Sequence, residues 1–365
     1  MKKIISKKIK TALLILCTVA SLQYAYSNGK KDAAIEDPNG ILQEEITDTP
    51  STEELEKPAI AYSHDLPKGD SVKFHEVWAY ILDGHSDGLT DDMNITDLCL
   101  FSAGVNVYGE INYVPDSSQI KKFKGRKHLI VTCDSRSLTH FILDPDYGVR
   151  QKLISRLVKI SKDFDGLQID FELVPARDEK NFQTFLLDVR GRIGREKWFS
   201  VALPARTKTL SDDVYDYDKI SSCVDRIIVM AYDEHWSGSK PGPVASMDWC
   251  EKVADYASSV IPQKKLVMGL PFYGRTWVDD SLDSAWRFKG INNMFNERNM
   301  HTVTRDERGI PTFTFTTQVT VTGYFDDSFS LVERCRMYES KNIKKTAFWR
   351  IGQEDSTFWP WLELN

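Results

Sequence analysis

The sequence predicts a (β/α)8 barrel, and three observations carry that prediction. Eight short β-rich apolar runs follow one another from Phe74 onward: "FHEVWAYIL", "DLCLFSA", "KHLIVTC", "DGLQIDF", "WFSVALP", "DRIIVMAY", "KLVMGLPFY" and "KTAFWRI". Helical patterns alternate with them: Val149, Leu153, Ile154, Leu157 and Val158 recur at helical spacing after the third run, and Phe182, Phe185, Leu186, Val189 and Ile193 after the fourth. Strand and helix in alternation imply parallel strands joined by crossovers, and eight repeats imply closure. The rhythm breaks once, before the last run, where the extra residues include "PTFTFTTQVTVTGYF". That reads as a small β-containing insertion after strand 7, over about 278–324, within a barrel domain spanning 71–365.

The residues before the barrel read differently. "MKKIISKKIK" followed by "TALLILCTVASL" is a basic region and a short apolar run, and Ala25, Tyr26 and Ser27 supply small residues suited to cleavage. We expect a signal peptide over 1–27 and an exported protein, periplasmic or extracellular, with no stable membrane span after cleavage. A lipoprotein reading would need Cys17 acylated, and Leu16 is bulky where a small residue is expected. Residues 28–70, acidic and rich in Pro, Thr, Glu and Asp, lack any sustained period and read as a flexible linker. No wall-binding repeat is visible before the barrel.

Composition excludes several classes. With 365 residues, 41% hydrophobic and 27% charged, the chain has the balance of a soluble globular protein. A net charge of -6 argues against a nucleic-acid partner, which would require clustered positive charge. Cys99, Cys133, Cys223, Cys250 and Cys335 have no close C-x-x-C pairing, so metal and redox motifs fail on spacing. No cofactor is called for, and oligomeric state stays open.

The fourth run carries the chemistry. In "DGLQIDFE", Leu167, Ile169 and Phe171 alternate with Gln168, Asp170 and Glu172, so a strand aims three polar side chains one way. Inward positions of a barrel covered on both faces should be apolar, because unpaired buried carboxylates are costly. Glu172 stands at the C-terminal end of the strand, the rim where barrel enzymes build active sites. Two carboxylates roughly 6.6 Å apart repel by about 2.5 kcal/mol at an effective dielectric near 20, so one should hold its proton, as a general acid must. Spacing alone leaves open a structural use, with the pair bound to a buried arginine or capping the next helix.

"DGLQIDFE" closely resembles the D-G-x-D-x-D-x-E signature of glycoside hydrolase family 18, the chitinase and N-acetylglucosaminidase family. Three further elements resemble that family in the expected order: "VMAYDEHW" from Val229, "GLPFYGRTW" from Gly269 and "AFWRIG" from Ala347. The resemblance covers roughly Phe74 to the C-terminus. It implies a retaining hydrolase of N-acetylglucosamine-containing polysaccharide, peptidoglycan or chitin, in which the substrate's own acetamido group is the nucleophile. Glu172 would be the acid and then the base, Asp170 the partner of the acetamido N–H, and Tyr232 the positioner of its carbonyl oxygen. Asp233 would help hold the sugar, and Trp349 would be its apolar floor.

Two departures matter. Gln168 replaces the middle Asp of the signature, removing a charge that would share a proton with Asp170. The third strand reads "VTCDSRS" where chitinases usually carry S-x-G-G, and with "YDEHWSGSKPGPV" this is closer to the bacterial branch of spore-cortex-lytic and peptidoglycan glucosaminidases. A chitinase is the enzymatic alternative, and a non-catalytic lectin on the same fold the other; retention of Glu172 speaks against the lectin. Trp236, Tyr273 and Trp277 are candidates for stacking on sugars, and Tyr80 for the pocket floor, though each residue type also fills ordinary cores. Trp198, Trp249, Trp359 and Trp361 read as packing. His235 has no partner at ligand spacing, so we expect no metal. Gly238 and Ser239 lack the strand–turn–helix setting of a serine hydrolase.

Overall fold

The computed structural model describes residues 66–278, 288–305, 311–316 and 318–365. The expected leader, Cys17, the acidic stretch up to residue 65 and parts of the insertion lie outside the described residues.

Eight parallel strands close into a barrel in chain order: β1 (Glu76–Leu82), β2 (Asp97–Gly104), β3 (Arg126–Cys133), β4 (Gly166–Phe171), β5 (Trp198–Pro204), β6 (Arg226–Met230), β7 (Leu266–Pro271) and β8 (Lys345–Trp349). β8 pairs with both β7 and β1. Each strand matches one of the eight apolar runs, because a sheet covered on both faces needs apolar residues throughout.

Among the described residues the helices are α1 (Arg136–Leu143), α2 (Arg150–Ile160), α3 (Glu179–Ile193), α4 (Tyr217–Ser221), α5 (Met247–Val260), α6 (Phe288–Glu297) and α7 (Ser328–Ser340). α2 buries Leu153, Ile154 and Leu157 against the barrel, and α3 buries Phe182, Phe185, Leu186 and Val189. Leu167, Ile169 and Phe171 of β4 meet them, Phe171 stacking on Phe185 at 5.5 Å. Each such buried side chain contributes roughly 1.5–3 kcal/mol. α7 opens on a reciprocal cap between Asp327 and Ser330. The crossovers from β1 to β2 and from β2 to β3 carry only single 3-10 turns. Val72–Phe74 pairs with Leu362–Leu364, tying the start of the described domain to its end.

Between β7 and β8 lies the insertion. Its strand Arg275–Val278 pairs antiparallel with Val321–Tyr324, and α6 lies between them in the chain. Of the stretch read as strand-like, 311–325, only Pro311–Thr312 and Val321–Tyr324 are strands among the described residues, and neither Arg275–Val278 nor α6 was anticipated. Among the described residues no helix is long and apolar enough to cross a membrane.

The barrel interior is layered. At the N-terminal end of the strands, Arg126 forks onto Asp97, Arg226 forks onto Glu76, and the Trp198 ring lies under both guanidinium groups at 4.3 and 4.6 Å. His128, wholly buried, bonds Asp97 at 2.7 Å. Gly166 makes room for it, since a Cβ there would sit 2.2 Å from the imidazole. Above this layer Trp78, Tyr80, Cys99, Ile130, Ile228, Val267 and Ala347 form an apolar plug. Cys99, Cys133, Cys223, Cys250 and Cys335 are all buried free thiols, behaving as small hydrophobes.

Candidate active site

The polar face of β4 rises from this plug to the C-terminal mouth. Gln168 is fully buried, and its amide is used at both ends: Tyr80 Oη donates to Oε1 at 2.7 Å, and Nε2 donates to Ser200 Oγ at 3.1 Å. It therefore lies beneath the site rather than on a surface that a sugar could touch. Tyr80, 3% exposed, lies at the same depth.

One step up, Asp170 is buried, and its Oδ1 has no hydrogen-bond partner. Burial holds its carboxyl well above the usual carboxylate range, and the neighbouring Glu172 charge adds to this. Glu172 stands at the rim. Its surface is exposed to the mouth, yet enough protein surrounds it to strip away bulk water. That desolvation raises its pKa first, then Asp233, then Asp134. The expectation of one carboxyl holding a proton attributed it to mutual repulsion. In the folded protein burial is the larger cause for both groups, because spacing along a strand says nothing of the walls around it.

Asp134 reaches Glu172 through the register of two strands. Cys133 pairs with Phe171, and the Glu172 N–H donates to the Cys133 carbonyl at 3.3 Å, so the two acids leave adjacent strand ends side by side. The turn carrying Glu172 is also clamped by Tyr215, whose hydroxyl donates to the Phe171 carbonyl at 2.7 Å and accepts from the Val174 N–H at 2.9 Å.

Tyr232 and Asp233 follow β6. The Tyr232 ring is half-buried, edge-on to Tyr273 at 6.3 Å, and lies close over Gly269, where a Cβ would come within 3.1 Å of it. Burial foremost, then the nearby tyrosines and acids, pushes its ionisation far up, so its hydroxyl remains a neutral donor. Asp233 has φ +59°, a left-handed conformation that Asp tolerates better than most residues. Its Oδ1 accepts from Tyr273 Oη at 2.7 Å and from Arg275 Nε and Nη2 at 2.9 and 2.7 Å. The first strand of the insertion thus supplies the cation that fixes Asp233.

Trp349, at the end of β8, packs against Tyr80 at 5.3 Å and Phe101 at 4.8 Å, forming an aromatic wall of the mouth. Trp236 is 40% exposed, and its carbonyl accepts from Trp277 Nε1 at 3.3 Å. Trp277 packs edge-on to Tyr324 across the insertion's strand pair. Trp359 instead packs with Phe272, Phe348 and Phe358 in the outer core.

Sequence reasoning missed Asp134, Ser200, Tyr215 and Arg275. Arg275 lay inside "GLPFYGRTW" and Asp134 inside the third-strand stretch "VTCDSRS", though neither was singled out; Ser200 and Tyr215 come from elements with no motif. His235 bonds the Pro243 carbonyl, a structural use. His140, Asp144 and Asp178 lie close enough together to hold a metal, and His140 and Asp178 already bond each other at 2.8 Å. A hollow of about 780 Å3 lined by His75, Glu76, Arg126 and Asp165 opens at the opposite end of the strands, remote from this chemistry.

A closed barrel with an electrostatically linked carboxyl pair where its fourth strand ends has the arrangement of a barrel enzyme. The family model for glycosyl hydrolases family 18 matches residues 118–354, and the chain belongs to that family. It is 32% identical over 152 residues to the putative sporulation-specific glycosylase YdhD of Bacillus subtilis, a match covering 40% of this chain and 35% of that protein. The chain spans about a third to two thirds of the length of the curated relatives it matches. In fold it is similar to the spore cortex-lytic enzyme SleL of Bacillus cereus, with a TM-score of 0.65 and 20% identity over 82% of this chain and 76% of that one. A chitinase from Chromobacterium violaceum gives a TM-score of 0.62 and 22% identity over 79% and 97%.

Proposed function

We propose that the protein is a retaining glycoside hydrolase that cleaves β-1,4 linkages after N-acetylglucosamine, with the substrate's acetamido group as nucleophile. The observation that carries this reading is the stack on β4: a buried Asp170 with an unpartnered oxygen, directly below a desolvated Glu172 at the mouth.

In the first step the acetamido oxygen attacks the anomeric carbon and the glycosidic C–O bond breaks. Glu172 gives its proton to the departing oxygen. Asp170 accepts the acetamido N–H with the oxygen left free in the unliganded protein, and stabilises the oxazolinium charge. The neutral Tyr232 hydroxyl donates to the acetamido oxygen, Asp233 braced by Arg275 and Tyr273 holds the sugar, and Trp349 supports its apolar face. In the second step water attacks the anomeric carbon, Glu172 takes its proton, and the oxazolinium ring opens with net retention.

The polymer we assign is peptidoglycan. Similar proteins named as sporulation-specific and spore cortex-lytic support a bacterial wall glycan, and the basic-then-apolar N-terminus supports export through a leader over 1–27 and a linker over 28–70. Chitin oligosaccharide is the second reading, favoured by the fold it shares with a chitinase. Digestion of purified peptidoglycan and of chitin oligomers, with Glu172→Gln as control, tests both. New N-acetylglucosamine reducing ends from peptidoglycan are expected. Ends from chitin alone would overturn the wall assignment, and no turnover of either would overturn the enzyme.

A further inference from the structure

Three half-buried arginines follow the mouth ends of barrel strands: Arg206 after β5, Arg275 after β7 and Arg350 after β8. Two are neutralised. Arg206 forks onto Asp213 at 2.7 and 3.0 Å, and Arg275 grips Asp233. Among the described residues Arg350 has no ion-pair or side-chain hydrogen-bond partner, and burial pulls its pKa below the ordinary value.

The loop around it is built so that its own acids do not serve. Glu354 accepts from the Gly352 and Gln353 N–H groups and from Trp359 Nε1, and Asp355 accepts from the Ser328 and Thr357 N–H groups. Ile351 is turned into the core outside the barrel and anchored through its N–H to the Tyr80 carbonyl at 3.0 Å. Arg350 directly follows Trp349, the last residue of β8, and its side chain is half-buried. A guanidinium partly withdrawn from water with no anion beside it is unfavourable, and its fork matches a carboxylate.

We propose that Arg350 is a carboxylate-recognition site for the glycan, one sugar removed from the bond that is cut. This rests on the reading of Trp349 as the floor under the sugar at the cleavage point. The ligand is an acid carried by the saccharide chain, either the 3-O-lactyl carboxylate of a muramyl residue or a carboxylate of its peptide stem. Neutral chitin offers neither, so Arg350 is the residue that separates the two polymers.

Calorimetric titration of full-length Glu172→Gln, with and without Arg350→Gln or Arg350→Lys, tests this. The probes are a chitin tetrasaccharide, a peptide-free peptidoglycan tetrasaccharide and its peptide-bearing counterpart. Removal of Arg350 should weaken acidic probes about tenfold and leave chitin unchanged, with Lys intermediate. Loss confined to the peptide-free probe assigns the lactyl acid; loss confined to the peptide-bearing probe assigns the stem. Equal loss on all three probes, no loss on any, or no binding of any probe would overturn the proposal, and melting temperatures separate these from misfolding. Arg350-dependent selectivity in a protein whose parent form hydrolyses nothing would sink the enzymatic reading while leaving this site standing.

Discussion

The Tyr80 hydroxyl donates to Gln168 Oε1 at 2.7 Å inside the closed barrel, joining β1 to β4 directly beneath Asp170. With Ser200 on the other side of the amide, Gln168 is a neutral bridge across three strands. Gln168→Asp puts an acid where water cannot reach it and beside a carboxyl that burial already raises. The acidic limb of the pH–rate profile should move to higher pH, because Asp170 then loses its proton against an added negative neighbour. An unchanged limb would mean that the two positions do not sense each other.

Glu172 must be protonated to act as an acid, and its pKa is raised, so activity is present below that pKa and lost as pH rises through it. Glu172→Gln should lower kcat by at least about 100-fold and abolish the alkaline limb. A full alkaline limb in that variant would assign the acid elsewhere.

Asp134 adds negative charge beside Glu172. Asp134→Asn should therefore lower the Glu172 pKa and move the alkaline limb to lower pH, with the acidic limb less affected. Steady-state profiles on a fluorogenic N-acetylglucosamine oligomer measure the shift, and a move in the opposite direction would refute the pairing read from the strand register.

Arg275→Gln has the opposite sign. It uncovers the Asp233 charge, which raises the Glu172 pKa further and shifts the alkaline limb upward. Because the ion pair is part-exposed, the stability cost should stay near 1 kcal/mol or below, read from the melting temperature. A large loss of stability would make Arg275 a scaffold residue of the insertion instead.

Asp97 anchors the N-terminal ends of the barrel strands. Burial alone would raise its pKa, but the hydrogen bonds from His128 and Arg126 outweigh this and hold it below the ordinary value. A depressed folded-state pKa gives stability that is present above the unfolded value near 3.9 and lost as pH falls through the folded one. Asp97→Asn should cost about 3 kcal/mol at neutral pH, leaving Arg126 and His128 without their anion, and the loss relative to the parent should shrink below pH about 4. Chemical denaturation at pH 7 and pH 3 reads both.

By itself the sequence determined the eight strands, the helices α2 and α3, and the outward packing of Leu167, Ile169 and Phe171. Those follow from local periodicity, which the chain carries residue by residue. It also offered Asp170, Glu172, Tyr232, Asp233 and Trp349 as candidates, because ordered motifs mark strand ends wherever the chain later folds. The tertiary structure decided what periodicity cannot encode. Gln168 became a buried bridge because Tyr80 and Ser200, 88 and 32 residues away, close around it. Asp134 became a neighbour of Glu172 only through the β3–β4 register, and Arg275 a brace for Asp233 only because the chain leaving β7 meets the chain leaving β6. The raised pKa of both site carboxyls likewise comes chiefly from the walls that exclude water, which distant elements assemble and no short stretch of sequence contains.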